Sequence, residues 1–331
     1  MPRKIERVLT LTDLGFAEDP FTTSADQRFF YLSNQNGKVM PGVQDIIDLR
    51  RGIAVIEGDY GYGKSSIALR LQWYYSNEEP DCYVYYRHTF AFESEMAALK
   101  DICEFFKLPK KRTKDELWAV FEDFISKASK AKKNIVLLLD DAQEMKGDTL
   151  NLIHKLYNFD PGGGKSVTTV LFGMPQLKNI FAKRPEVLSR VDSWFVLNPL
   201  SLEETYELIR FRTTVAGRKE PLLTKTSYGA IWQASQGVPR YIVGICSKLI
   251  DVLGDKRRTT AEFEDVKEAV DRYKEVQASE IARIKGDQTP KAKKGKQKSE
   301  TGVDVARQES LMLGVDASDS PAQIPQTRNG V

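Results

Sequence analysis

Residues 52–75 read GIAVIEGDYGYGKSSIALRLQWYY, and this stretch decides the fold. A short apolar run at its start is typical of a buried strand. Apolar residues three and four apart at its end predict a helix. A glycine-rich loop, Gly58 to Ser65, joins the two. The stretch therefore predicts a strand, a tight loop and a helix in immediate succession.

The loop fits the phosphate-binding pattern in full, and it lies between a predicted strand and a predicted helix as that pattern requires. Its glycines let backbone N–H groups turn toward phosphates, and the following helix presents its positive end. We expect Lys64 to reach the outer phosphates and the Ser65 hydroxyl to ligate Mg²⁺. ATP and Mg²⁺ are thus the predicted cofactors, and the predicted nucleotide-binding residues are Gly58, Gly61, Tyr62, Gly63, Lys64, Ser65 and Ser66. The alternative is a glycine-rich turn that binds nothing.

Residues 134–145, NIVLLLDDAQEM, supply the acidic partner of this loop. An apolar strand that ends in an acid places the carboxylate at the carboxyl edge of a parallel sheet, beside the phosphate loop. There Asp140 is expected to hold Mg²⁺ through water, and Asp141 to polarise the water that attacks the phosphate. The alternative for the pair is a helix N-cap with a solvated neighbour.

Strand-like and helix-like segments alternate from residue 39 onward. Further strands are predicted at 82–88, 134–140, 168–172 and 194–197, with helical spacing between them. Such alternation predicts an α/β fold, a parallel sheet covered by helices on both faces. The predicted organisation is an arm with little regular structure (1–38), an α/β nucleotide-binding part (39–198), a helical lid (199–278) and a disordered, basic and polar tail (279–331).

Composition says more about the cellular compartment than about the function. The 331 residues carry 49 Lys and Arg against 46 Asp and Glu, a formal net charge of +3 that does not by itself indicate a polyanionic partner. Three scattered cysteines argue against a disulfide framework. The sequence has neither an apolar signal peptide nor a run long enough to span a membrane. We therefore expect a cytoplasmic protein without a membrane partner.

Several short motifs together resemble the AAA+ ATPases of the P-loop NTPase class. They are GFAEDPF, DQRFFYLS, GDYGYGKSS, LLLDDAQ, LFGMPQL, LSRVDSWFVLNPLSLEET and SQGVPR, spread over about residues 13–275. The resemblance is to the ExeA-like branch, which includes secretion ATPases of the ExeA/GspA type and transposition regulators of the TnsC, TniB and MuB type. It implies the AAA+ fold, ATP hydrolysis and self-assembly into a ring or helical filament.

The resemblance also implies roles for residues outside the loop. Arg190 corresponds to the arginine finger, which reaches the nucleotide of a neighbouring subunit. Arg240 in GVPR corresponds to the second sensor, which contacts the nucleotide from the lid. Phe16, Pro20 and Phe21 would lie near the adenine or brace the domain. For the two arginines the alternative is a surface charge, with Arg184 close to Arg190 in sequence, and for the arm residues it is the core.

Two positions depart from the family pattern. Asp141 stands where a glutamate is usual, so its carboxylate reaches one methylene less far. Met174 stands where a polar first sensor is usual and cannot orient water by a hydrogen bond, although Thr169 or Gln176 could serve instead. A misplacement of about 1 Å can cost on the order of 100-fold in rate. We therefore expect ATP binding with slow hydrolysis.

The segment KLPKKRTK concentrates basic residues between two predicted helices: Lys107, Lys110, Lys111, Arg112 and Lys114. Such a cluster is often only a solvated face. In transposition ATPases of this branch the corresponding region lies against DNA, so the resemblance implies contact with double-stranded DNA. These contacts would carry affinity without sequence preference. The lysine-rich tail would add affinity, tether a partner such as a transposase or targeting subunit, or simply be disordered.

Three functions remain open. The first is an ATP-dependent regulator of DNA transposition that assembles on target DNA and recruits a transposase. The second is a secretion-pathway ATPase of the ExeA/GspA type, a group that typically continues into a membrane helix and a peptidoglycan-binding domain that this sequence does not contain. The third is an ATPase in which nucleotide gates assembly alone, without DNA. The basic loop favours the first.

Overall fold

The computed structural model of the chain describes residues 10–22, 26–162 and 164–287. Its strands are β1 (Ile53–Glu57), β2 (Cys82–Arg87), β3 (Asn134–Leu139), β4 (Val167–Gly173) and β5 (Val191–Val196). Its helices are α1 (Asn36–Asp48), α2 (Lys64–Asn77), α3 (Glu95–Phe105), α4 (Lys114–Lys130), α5 (Gly147–Asn158), α6 (Leu177–Ala182), α7 (Pro185–Leu188), α8 (Leu202–Val215), α9 (Lys225–Ser235), α10 (Pro239–Lys256) and α11 (Phe263–Asp287). Short 3-10 turns cover Gln27–Phe29 and Ala142–Glu144.

The five strands form one parallel sheet in the order β2-β3-β4-β1-β5. This confirms the predicted α/β class and all five predicted strands. Because every pair is parallel, the carboxyl ends of the strands meet at one edge. There Glu57, the last residue of β1, pairs with Gly173 of β4 and Val196 of β5. The loops that follow β1, β3 and β4 therefore meet at the same place.

The hydrophobic core lies on both faces of the sheet. Alternate residues of β1 point to opposite faces. Ile53 and Val55 join an apolar cluster with side chains from α3, α4 and α5, whereas Ala54 and Ile56 join a second cluster with α1 and α2. Burial on both faces explains why these strands are continuously apolar in sequence.

Helix α1 is absent from the sequence-based prediction, which assigned residues up to 38 to an irregular arm. Pro41 lies inside this helix and glycines flank it, and both residue types weaken the helical signal. Val43, Ile46 and Ile47 nevertheless lie on one face of the helix and are buried against the sheet. Burial of that face outweighs the poor local propensity.

After β5 the helices α8 to α11 follow one another, and an isolated β-bridge joins Leu223 to Ala261. Helix α11 continues to Asp287, so the prediction that the disordered tail begins at 279 is wrong for residues 279–287. Their Glu, Ala, Lys and Arg residues are good helix formers, which a composition argument for disorder overlooks. Residues 288–331, the rest of the predicted tail, lie outside the described part. The described residues up to Val270 form one compact unit, and those from Asp271 belong to a second.

None of the helices in the described ranges combines the length and the apolar character needed to cross a membrane.

Candidate nucleotide-binding site

The loop between β1 and α2 has the backbone of a phosphate cradle. Gly61 and Gly63 have φ angles of +82° and +93°, which glycine adopts without steric cost. Gly63 directly precedes the first residue of α2, so the free N–H groups of that helix point into the loop. A helix start of this kind attracts anions. The local geometry therefore fits the phosphate-binding pattern.

Lys64 is buried within this loop although it carries an ammonium group. Its Nζ donates hydrogen bonds to the carbonyl oxygens of Gly58 (2.7 Å) and Asp59 (3.0 Å). Burial lowers its pKa, and the nearby carboxylates of Asp140 and Asp141 act in the opposite direction. The side chain is thus held against carbonyl oxygens of the loop, and the carboxylates of Asp140 and Asp141 favour its charged form.

Asp140 follows β3 and is fully buried. Its Oδ1 accepts a hydrogen bond from the backbone N–H of Asp141 at 3.0 Å. Its Oδ2 has no hydrogen-bond partner among the described residues, and the nearest cation candidate is His88 Nδ1 at 3.5 Å. Burial raises the pKa of Asp140, and the nearby Ser65 hydroxyl opposes that shift.

The surroundings of Asp140 suit Mg²⁺. A buried carboxylate oxygen without a partner, next to a serine hydroxyl, matches the one or two protein oxygens with which Mg²⁺ is bound beside phosphates. Within the described ranges no group of three or more His, Cys, Asp or Glu residues could hold a metal by itself. Asp140 and Ser65 are therefore the residues that would hold Mg²⁺ together with the phosphates of a nucleotide.

Asp141 has different surroundings from its neighbour. Its side chain is only partly buried, and its backbone is left-handed, with φ at +49°. Aspartate tolerates this conformation better than most residues. Gln143 Nε2 donates to its Oδ1 (3.2 Å), and the Thr89 hydroxyl donates to its Oδ2 (3.4 Å). Both carboxylate oxygens are thus in contact with neutral donors.

The end of β4 has no polar side chain at Met174. Instead, the backbone N–H of Met174 donates to Gln143 Oε1 at 3.0 Å. Thr169 pairs with Ile53 at the start of β1, so it lies at the opposite edge of the sheet and cannot serve as a first sensor. Gln176 is exposed, at the start of α6.

The lid helices approach the phosphate loop directly. The Arg240 guanidinium lies over the Tyr60 ring, 4.5 Å from its centroid, and the Arg240 backbone N–H donates to Gly61 O at 3.3 Å. A Cβ at Gly61 would lie 3.0 Å from side-chain atoms of Arg240 and Val238, so glycine permits this close approach. Arg240 is therefore next to the loop.

A cleft of about 610 Å³ connects these groups. One wall is the phosphate loop with Asp141 and His88, and another is the lid with Leu208, Arg212 and Arg240. The remaining wall belongs to the arm and includes the aromatic residues Phe29, Phe30 and Tyr31. The cleft thus has a charged end and an aromatic end, as a nucleotide requires.

Phe16 and Pro20, which were predicted to lie near the adenine or to brace the domain, are not among the residues that line this cleft. The Phe16 ring is buried against the guanidinium of Arg218, and the Pro20 carbonyl accepts from Arg212 Nε at 2.7 Å. Phe21 is buried as well. These arm residues pack against the lid, which was the bracing alternative, because arginines at the end of α8 and just after it bind the backbone of the arm.

Arg190 is exposed and lies far from the phosphate loop of its own chain. It immediately precedes β5, whose first residue, Val191, pairs with Ile53 at the start of β1. The phosphate loop instead follows the last residue of β1. The guanidinium of Arg190 lies 5.1 Å from the Tyr157 ring centroid. Arg190 therefore cannot act on the nucleotide of its own subunit.

The predicted DNA-binding loop joins α3 to α4. Lys107, Lys110, Lys111 and Arg112 are exposed, and Lys110 lies 3.6 Å from Glu104 in a solvent-exposed ion pair. Lys114 differs, because its ammonium group binds the buried carboxylate of Glu95 at 2.7 Å. Four basic residues of the five thus present charge to solvent.

Sequence reasoning missed Gln143, Thr89, His88 and Arg212. Gln143 stands in the LLLDDAQ motif, so its proximity to the acids was visible, but its contact with β4 was not. Arg212 lies 192 residues from the Pro20 carbonyl that it binds. Only the folded chain brings such pairs together.

Part of the chain matches a known protein family. Residues 47–181 match the AAA domain family. General secretion pathway protein A of Aeromonas hydrophila is 26% identical over 241 residues, which are 71% of this chain and 43% of that protein. The chain thus spans less than half the length of this relative.

Solved structures agree with the fold. Cdc6p of Pyrobaculum aerophilum superposes with a TM-score of 0.60 at 17% identity, over 79% of this chain and 70% of that one. The Aeropyrum pernix ORC1 protein in complex with DNA gives 0.57 at 16% identity, over 77% and 69%. The chain has the P-loop AAA+ fold, and the family match and the secretion-protein similarity support an AAA+ ATPase.

Proposed function

We propose that this protein is an ATP-dependent switch that assembles on double-stranded DNA and regulates DNA transposition. Bound ATP favours a ring or helical filament, and slow hydrolysis disassembles it. The observation that carries its ATP-dependent part is the position of Lys64 and Ser65, beside the buried Asp140, in a cleft that Arg240 borders from the lid.

The chemistry follows from the residues of the cleft. Lys64 and the N–H groups of the loop bind the phosphates, and Mg²⁺ held by Ser65 and Asp140 would neutralise part of their charge. Asp141 orients and polarises the attacking water. Its short reach makes the step slow. Arg190 would supply the positive charge from a neighbouring subunit, since it lies at the amino-end edge of its own sheet.

DNA binding is proposed for the exposed basic loop between α3 and α4. Lys107, Lys110, Lys111 and Arg112 present positive charge without a close buried partner, and an exposed pair such as Lys110 with Glu104 is weak. Lys114 is left out because it binds Glu95. The Aeropyrum relative in complex with DNA has the same fold at low identity, which is compatible with such a role.

The DNA interface is tested with a triple variant, Lys110→Ala with Lys111→Ala and Arg112→Ala. Loss of three phosphate contacts should weaken binding to any duplex by about 10-fold or more and reduce the salt dependence by about three ions. Fluorescence anisotropy with labelled duplexes of different sequence measures both. The matched control removes three exposed charges from the lid region: Arg210→Ala, Lys219→Ala and Lys225→Ala. Equal affinity of the two triple variants would reject this interface.

Regulation of transposition needs a second test, because DNA binding alone does not imply it. If a transposase gene lies beside this one, its product is the transposase to test. Its recruitment to DNA by this protein is then measured with ATP, with ADP and without nucleotide. We expect recruitment with ATP only. A transposase that binds the DNA equally well without this protein would contradict the regulatory role.

A secretion-pathway ATPase of the ExeA/GspA type is the second candidate. One observation favours it: the similarity to General secretion pathway protein A, which extends over 71% of this chain. The two candidates differ in their need for DNA. If the protein assembles with nucleotide and DNA at low salt has no effect on assembly, the second candidate is favoured. The same result would also fit an ATPase in which nucleotide alone gates assembly.

A further inference from the structure

Gln143 connects the two positions at which this chain departs from the family pattern. Its side-chain amide donates to Asp141 Oδ1 at 3.2 Å and accepts from the backbone N–H of Met174 at 3.0 Å. We propose that Gln143 is a positioning residue that fixes the Asp141 carboxylate for water activation and so replaces a polar first sensor. This inference rests on the proposed function, since it assigns part of ATP hydrolysis.

The polarity of the two contacts determines the orientation of the amide. A carboxylate only accepts hydrogen bonds, so Asp141 needs a donor, and the N–H of Met174 needs an acceptor. Glutamine provides both in one side chain. Glutamate cannot donate to Asp141, and methionine can do neither. The bridge therefore depends on the carboxamide group itself.

The surroundings keep space for this bridge. Gln143 stands in the turn Ala142–Glu144, directly after Asp141. A Cβ at Gly173 would lie 3.4 Å from Gln143 Oε1 and 3.0 Å from Leu177 Cδ2. Glycine at the end of β4 thus leaves room for the amide between the turn and the strand.

Asp141 needs such support because few other contacts from the described residues restrain its side chain. Its side chain is only partly buried, and its other polar contact is the longer one with Thr89, at 3.4 Å. A carboxylate that samples several rotamers spends less time aligned with the water. Since misplacement by about 1 Å can cost on the order of 100-fold, one restraining hydrogen bond is enough to affect the rate.

The first test compares Gln143→Glu with the parent protein. This variant keeps the acceptor for Met174 and nearly the same volume, but it loses the donor to Asp141. We expect the single-turnover rate of ATP hydrolysis to fall by about 10-fold or more, with the dissociation constant for ATP changed less than about 2-fold. A residue that only secures the end of β4 would leave the rate unchanged, and that result would overturn the proposal.

A double-variant cycle identifies the pathway of the effect. Asp141→Asn removes the carboxylate and keeps a side chain suited to the left-handed backbone. If Gln143 acts through Asp141, adding Gln143→Glu to Asp141→Asn lowers the rate no further. Independent, additive losses would overturn the proposal.

Two further measurements separate the possible failures. Gln143→Met makes neither hydrogen bond and adds no charge, so it repeats the hydrolysis measurement without a second carboxylate beside Asp141. Thermal melting checks that each variant is folded. A parent protein that binds ATP without hydrolysing it would overturn the role of Gln143 alone. A parent that does not bind ATP would reject the proposed function itself.

Discussion

Asp140 and Asp141 are adjacent in sequence, yet the fold gives them opposite environments. Asp140 is fully buried with one oxygen unpartnered, whereas Asp141 is partly exposed, with both oxygens in contact with neutral donors. Burial raises the pKa of Asp140, which a bound divalent cation would reverse. The surroundings of Asp140 thus suit binding of a metal ion, and those of Asp141 suit contact with a water molecule.

Asp141→Glu tests whether the short side chain limits hydrolysis. The extra methylene extends the carboxylate toward the water, so we expect faster turnover. Glutamate is less suited to φ near +49°, so the free energy of unfolding should fall, by about 1 kcal/mol. Steady-state hydrolysis and chemical denaturation measure the two effects.

The control for this prediction is Asp141→Asn, which suits the same backbone without a carboxylate. It should slow hydrolysis by about 100-fold or more and leave ATP binding intact. Unchanged rates in both variants would mean that Asp141 has no catalytic part.

Individual residues were predictable from the sequence where the backbone alone determines their place. Lys64 and Ser65 follow from a strand, a glycine loop and a helix, and Asp140 follows from the end of an apolar strand. Gln143 was not predictable, because its contact with Met174 spans 31 positions and depends on side-chain direction.

At the scale of elements, the junction between sheet and lid depends on close backbone contact. Leu200 lies just before α8, and Gly237 lies just before α10. The backbone N–H of Leu200 donates to Gly237 O at 2.8 Å. A Cβ at Gly237 would lie 2.2 Å from Leu200 O, and its φ of +71° is strained for other residues. This position accepts only glycine.

Gly237→Ala should therefore destabilise the protein by more than about 1 kcal/mol and displace the lid from the phosphate loop, which weakens ATP binding. Gly229→Ala is the matched control, since it lies inside α9 with open space around it. That change should stabilise the helix by about 0.5–1 kcal/mol. Thermal melting and ATP titration distinguish them, and similar effects of the two alanines would refute this view of the junction.

Arg212 is the second element-scale feature, because it fastens the arm to α8. It donates to the carbonyl oxygens of Pro20 and Thr22, both at 2.7 Å, and lies over the Phe29 ring. Arg212→Ala should lower the free energy of unfolding by about 1.5–3 kcal/mol and expose the arm to proteolysis. Arg210→Ala, an exposed arginine on the same helix, should have little effect. Equal stability of the two variants would contradict the fastening role.

The elements themselves were largely predictable, since buried strands and amphipathic helices have distinct periods. Helix α1 was missed because Pro41 and its neighbouring glycines obscure an apolar face that the sheet buries. The sequence left two alternatives for Phe16 and Pro20, contact with the adenine or bracing of the domain. It could not decide between them, because the arginines that bind the arm, Arg212 and Arg218, come about 200 residues later.

At the scale of the whole molecule, the proposed role of Arg190 as an arginine finger predicts that hydrolysis needs more than one copy. It lies at the amino-end edge of the sheet, opposite the phosphate loop. Arg190→Ala should therefore keep ATP binding and lose hydrolysis, and Lys64→Ala should lose both. A mixture of the two variants should recover part of the activity, since one subunit supplies the arginine and the other the intact cleft. A mixture that remains inactive although assembled would contradict action between subunits.

Electron microscopy with a slowly hydrolysed ATP analogue tests the central claim most directly. The full chain is imaged at low salt with and without duplex DNA, beside the same samples with ADP and the Lys64→Ala variant with the analogue. We predict rings or filaments that form on DNA with the analogue and are absent with ADP and in Lys64→Ala. Dispersed single copies under every condition would contradict an ATP-dependent assembly on DNA.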